Sequence, residues 1–188
     1  MTSQRCRSCD SECVPFLDMG MHPLPNRFLT PEMLHQPEPR YPLEVVLCKN
    51  CGCVQLAHTV DPKLLFSDYL YTSSTSGSLA LHFEKYAIDT VAKLSLKPGR
   101  DFIVGIGGND GPLERAYQAL GFNVLNVEPA ANIATCSMAN RVPTLQGWFN
   151  QETAEKIVEL QGHADLITCN NCFAHTPDIH GVISGIKT

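Results

Sequence analysis

Charge is sparse in this chain and nowhere concentrated. Lys and Arg number 14 and Asp and Glu 19 among 188 residues, a net charge of −5, with no basic run. A nucleic-acid partner needs a cationic stripe and is not expected. Uninterrupted apolar sequence of bilayer-spanning length is also lacking, so no membrane partner is expected. The polar, cysteine-bearing opening has no secretory-signal pattern, which makes the cytoplasm the expected compartment. Thiols there serve metals or redox chemistry more often than disulfides. Internal repeats and low-complexity stretches are missing too. With 44% hydrophobic and 18% charged residues the chain is able to bury a core, which argues against disorder.

What is present in excess is cysteine. Six of the nine lie in the first 53 residues: Cys6, Cys9, Cys13, Cys48, Cys51 and Cys53. Cys136, Cys169 and Cys172 sit apart among apolar neighbours. Seven prolines between Pro15 and Pro42 forbid a long helix in the same region, leaving short strands such as 43–48 and 54–57. Cys6-Arg7-Ser8-Cys9 and Cys48-Lys49-Asn50-Cys51 are two C-x2-C pairs separated by residues 10–47. Each such turn presents two sulfurs to one ion, and two turns complete a tetrahedral, closed zinc site. Cys6, Cys9, Cys48 and Cys51 are therefore the expected ligands of a structural zinc. Cys13 and Cys53 remain possible substitutes for any of them. Free buried cysteines and a redox C-x2-C are the competing readings; the redox one lacks a thioredoxin-like strand and helix around it.

Residues 1–60 are thus expected to form a small zinc-binding domain and 61–78 a connecting segment rich in Tyr and Ser. Residues 79–188 form the third region, part of a Rossmann-like domain. There an amphipathic helix over 79–94 is followed by alternating apolar strands and helices: strands at 102–106, 122–127 and 164–169, helices at 112–120, 130–139, 151–160 and 178–187. Such alternation gives an α/β fold with parallel strands whose C-terminal ends share one edge. Strand 102–106 runs directly into Gly107-Gly108-Asn109-Asp110-Gly111, and Glu128 closes the next strand. A bare backbone bend at a helix N-terminus admits a ligand closely, and an acid at the end of the second strand suits the ribose hydroxyls of an adenosine. The dinucleotide fingerprint is incomplete, since Gly105-x-Gly107-x-x-Asp110 lacks the third glycine. A tight turn with no ligand is the plainer alternative.

These residues together resemble the zinc-containing sugar C-methyltransferases, which depend on S-adenosylmethionine (SAM). The similar stretches are Cys6 to Cys9, Leu47 to Gly52, Asp68 to Ser74, Ile106 to Gly111, Val127 to Ala130, and Asn170-Asn171-Cys172-Phe173-Ala174-His175. They span the whole chain in order. The resemblance implies a class I methyltransferase domain behind the zinc module, acting on a small molecule, a nucleotide-linked keto-deoxysugar. It implies SAM contacts at Gly107, Gly108, Asn109, Asp110, Gly111, Glu128, Pro129, Asn170 and Asn171. Tyr71 and His175 are the candidates on the substrate side, where an enolate must be formed and stabilised; the exposed-helix His82 is a weaker one. Two departures stand out. The family carries an acid two residues before the first turn glycine, where this chain has Gly105. Its members are also about twice as long, and a downstream Tyr-His-Glu-His motif that carries their base has no match. The chain is accordingly expected to be truncated and, alone, inactive or nearly so. A non-catalytic zinc module on a degenerate scaffold is the rival reading, and a nicotinamide-dependent enzyme a third.

Overall fold

Proline removes backbone donors through the first stretch of the chain, and strands form there instead of helices. In the computed structural model, which describes residues 4–188, β1 (Gln4–Arg5), β2 (Glu12–His22), β3 (Tyr41–Cys48) and β4 (Val54–Leu56) make an antiparallel sheet in that order. Strand β2 was not legible in the sequence. Pro15 sits beyond the two residues that β1 pairs with, at an open edge where its missing N–H costs no ladder bond, and the register shifts immediately after it. The buried cluster of this unit is small: Cys6, Cys13, Val46 and Cys48.

The chain divides into two compact units, the first ending at Leu65 in the short helix α1 (Pro62–Phe66) and also taking in Pro177–Ile179, the second comprising Phe66–Thr176 and His180–Thr188. In the second unit α2 (Gly77–Leu94) ends on Ser95 in the left-handed conformation, which returns the Leu96 N–H to the Val91 carbonyl. There follow β5 (Phe102–Ile106), α3 (Pro112–Ala119), β6 (Asn123–Glu128), α4 (Ala131–Ala139), β7 (Thr144–Gln146), α5 (Gln151–Gln161), β8 (Leu166–Thr168) and α6 (Ile179–Lys187). The strands are parallel in the order β7-β6-β5-β8. Of the four strands in this parallel sheet, β7, three residues long, has no counterpart in the expected elements.

Side-chain alternation along β5 sorts the helices into layers. Phe102, Val104 and Ile106 face a core with Ala154 and Ile157 of α5 and Val182 of α6. Ile103 faces the other way, toward Ala87 of α2 and Leu113, Ala116 and Tyr117 of α3. Gly105 shares the Ile103 face by the same alternation, so it looks toward α3. The chain winds outward from β5 to β7 and then crosses to β8 on the far side of β5. That reversal opens a crevice at the C-terminal ends of β5 and β8, where sheets of this kind take ligands. Among the described residues no helix is long and apolar enough to cross a membrane.

Candidate functional site

The four sulfurs of Cys6, Cys9, Cys48 and Cys51 lie within 4.8 Å of one another. Cys6 Sγ is 3.6 Å from Cys51 Sγ, and Cys9 Sγ is 3.5 Å from Cys48 Sγ. A zinc tetrahedron with 2.3 Å bonds places its sulfurs about 3.8 Å apart, so the cluster has the size of that ion. Two near-duplicate knuckles produce it. In one, the Asp10 N–H returns to the Cys6 carbonyl; in the other, the Gly52 N–H returns to that of Cys48, both at 2.9 Å. Asp10 and Gly52 follow their pairs in the left-handed conformation, at φ 57° and 74°. The Ser11 side chain and backbone, then the Asn50 amide, hold the Cys9 thiol down to about 5. Cys13 and Cys53, left open by spacing alone, lie outside the four-sulfur group. Burial, with the charges of Cys48 and Cys6, pushes the Cys13 thiol up to about 11.

The glycine turn leaves β5 at the crevice edge. Gly107 and Gly111 take φ of 62° and 83°, and Gly111 caps α3 with Pro112 at the first helical position. A Cβ at Gly107 would come within 2.7 Å of Cys172 Sγ, so this bend and the loop after β8 touch. Glu128 ends β6, 6% exposed, and turns back on the bend. Its Oε2 accepts the Asn109 N–H at 3.1 Å and its Oε1 that of Ala130 at 2.9 Å. Burial raises its carboxyl above the usual range, against the pull of those two N–H groups.

The structure gives Asn109 and Asp110 a tethering task. Asn109 Oδ1 accepts the Ser73 N–H at 2.8 Å, its Nδ2 donates to the Tyr71 carbonyl at 3.0 Å, and Asp110 Oδ1 accepts the Ser74 N–H at 3.2 Å. The Tyr71 backbone is thereby fixed beside the turn while the residue as a whole is 48% exposed. Pro129 follows Glu128 half-buried; Asn170 is half-buried and Asn171 exposed on the loop after β8. His175 is exposed in the short 3-10 helix 173–175 that follows. His82 lies on exposed α2, its ring against Phe83 and Tyr86.

Two buried residues beneath the turn escaped the sequence reading. Asn126, on β6 and 0% exposed, accepts the Gly108 N–H at 3.0 Å and donates to the Asn109 carbonyl at 2.9 Å and to Ser137 Oγ at 3.1 Å. It holds the bend from below. Glu114, in the first turn of α3, is 1% exposed, and its Oε2 has no hydrogen-bond partner. Burial pushes its carboxyl up to about 7, and the charges of Glu128 and Asp110 add to the shift. The signal for Glu114 was available: it is a lone acid on the helix face that carries Leu113 and Tyr117.

A bare bend backed by an acid, with a buried, unpartnered carboxyl oxygen beneath, fits a ligand bearing an adenosine and a cation. Comparisons with known proteins agree in kind. Residues 6–66 match a family model described as a candidate zinc binding domain, and residues 80–188 one described as a methyltransferase domain. Over 183 residues the chain is 34% identical to the C-methyltransferase NovU of Streptomyces niveus, covering 97% of this chain and 43% of that relative. It therefore spans less than half the length of the relative. Among solved structures, the plantazolicin methyltransferase BamL in complex with a triazolic desmethylPZN analog and SAH is 12% identical. That match has a TM-score of 0.45 and covers 57% of this chain and 40% of BamL. The magnesium protoporphyrin IX methyltransferase ChlM of Synechocystis PCC 6803, with bound SAM, is 17% identical, with a TM-score of 0.41 and coverage of 55% and 52%.

Proposed function

The chain belongs to the methyltransferase-domain family, and from that membership we propose that it is the zinc and cofactor-binding part of a SAM-dependent C-methyltransferase acting on a nucleotide-linked keto-deoxysugar. One observation carries the reading: the Glu128 carboxylate closes β6 and is turned back onto the glycine bend, where it accepts the Asn109 N–H. A carboxylate there retains lone pairs for a diol after accepting its two N–H groups. When bound, SAM supplies an electrophilic methyl group. The protein's part is to seat the methionyl end on the Gly107–Gly111 bend, hold the ribose at Glu128 and present the loop of Asn170 and Asn171 beside them. Tyr71 and His175 are assigned to the sugar side, where the carbon next to a ketone must lose a proton and the enolate oxygen must be stabilised. The likeness to NovU, a C-methyltransferase, supports carbon as the acceptor.

Calorimetry on the zinc-loaded chain tests the assignment. Saturable binding of S-adenosylhomocysteine (SAH) is expected, and Glu128→Ala is expected to weaken it about tenfold or more, the effect of losing a charged hydrogen-bond acceptor. Unchanged affinity in the variant would refute the ribose role. Transfer of a labelled methyl group from SAM to a nucleotide-linked 4-keto sugar tests the substrate class separately. The rival reading, a zinc module on a degenerate scaffold, rests on Gly105 and on the expected truncation; a carboxyl in the space at Gly105 weakens the first of these.

A further inference from the structure

We propose that Glu114 supplies the acid that pairs with the methionyl ammonium of SAM, reaching from helix α3 into the space that Gly105 leaves open. The inference rests on the SAM reading above and goes beyond it by naming a ligand-positioning residue that no motif contains. Gly105 lies in the middle of β5, facing α3. A Cβ built there would stand 1.8 Å from Glu114 Oε1, and all three of its nearest neighbours are Glu114 atoms. A Cβ at Gly108 would stand 2.4 Å from the same oxygen. Two glycines, one in the strand and one in the bend, thus leave a hollow that a single carboxyl fills.

Filling a hollow does not by itself call for a charged group; a leucine would do so at lower cost. Glu114 is 1% exposed, its Oε2 is unpartnered, and no Lys or Arg forms an ion pair with it among the described residues. Such a group is costly to keep in a fold unless something answers it. Its acidic neighbours, Asp110 and Glu128, are buried as well and carry the same sign. The surroundings therefore want a cation, and they lie directly under the bend. The methionyl end of SAM is zwitterionic, and its ammonium group is the part that answers these acids, while its adenosine half is neutral. The carboxylate of Glu114 and the ammonium meet across the bend, and no bond forms or breaks.

The test compares two probes on the zinc-loaded chain: SAH, which carries the ammonium, and 5′-methylthioadenosine, which keeps the adenosine and lacks the amino-acid portion. Glu114→Gln is expected to lower SAH affinity roughly ten- to a hundredfold and to leave methylthioadenosine unchanged. Returning the acid to the strand, as Gly105→Glu together with Glu114→Ala, which empties the hollow, is expected to restore SAH binding to within a few-fold. Equal losses for both probes, or an unaltered SAH affinity in Glu114→Gln, overturn the assignment while leaving the cofactor reading intact. A wild-type chain that binds neither probe overturns both. Thermal melting accompanies each titration. If Glu114→Gln fails to fold, the double variant decides, and a folded double variant blind to SAH overturns the proposal.

Discussion

Replacing Cys48 by serine, or removing the metal with a chelator, is expected to unfold the first unit outright. Its buried cluster holds three cysteines and one valine. The large apolar side chains of β2 offer no substitute core, since Phe16, Leu17, Met19 and Met21 are all exposed. Structural zinc in small domains contributes about 10–16 kcal/mol, far more than burial of Val46 and a few partly covered neighbours supplies at about 2 kcal/mol per side chain. A unit built this way has its folding energy in the ion. Amide hydrogen exchange checks it: protection along residues 41–48 should vanish in chelator while β5 and β6 keep theirs. Cys13→Ala is the control. Cys13 lies in the same cluster outside the four-sulfur group, so its loss should cost only about 1–3 kcal/mol and leave the metal bound. Persisting protection of β3 in the metal-free chain would show that the unit folds without zinc.

The second large effect concerns the buried acid under the glycine bend, and it runs opposite to its binding role. Glu114→Leu is expected to stabilise the protein above neutral pH. In the folded chain this carboxyl titrates at about 7, against 4.5 for the ordinary group. The folded state therefore keeps a proton that the unfolded state has released across that window. The contribution is fully present below pH 4.5 and is lost as pH rises through 7. Lifting the pKa by that margin corresponds to roughly 3 kcal/mol. The acids facing it are Glu128 and Asp110, so raising the pH relieves none of the repulsion. Leucine removes the titration and occupies the same hollow. Urea unfolding at pH 5 and pH 8 measures the outcome: wild type should lose stability between them by up to about 3 kcal/mol more than the variant. Parallel pH profiles would mean that the carboxyl is solvated in solution. Greater stability together with weaker SAH binding is the signature of a residue kept for its ligand.

Much of this architecture is written in local sequence rules. The strand-helix alternation after residue 79 follows from apolar periodicity punctuated by Pro98-Gly99, Gly121 and Gly162. The four-sulfur knot follows from two C-x2-C turns. Strand β2 was hidden because Pro15 and Gly20 interrupt it, and its face is mostly exposed, so it lacks the alternation that marks a strand. Strand β7 is too short to show a period. At the candidate site, the bend and Glu128 were legible because both sit at strand ends. The tethering by Asn109 and Asp110 was not, since its partners, Tyr71, Ser73 and Ser74, lie more than 30 residues away. Glu114 was missed because Gly105 was taken for a lost acid. A glycine inside a buried strand more often marks the close approach of another group, and here that group is a carboxyl.

The hairpin between the two knuckles has one more bearing on the metal. Each knuckle alone is a two-toothed chelator, and the pairings Gln4 with Cys13 and Cys13 with Cys48 are what keep the two together. The sheet thus sets the effective concentration of one chelator at the other, the quantity that converts two weak grips into one tight one. A one-residue slip of β2 against β3 would separate them without altering a sulfur. Avidity for the ion is in this sense a property of strand register, and a substitution at the irregular stretch from Asp18 to Met21 reaches the metal through the alignment of the ladder.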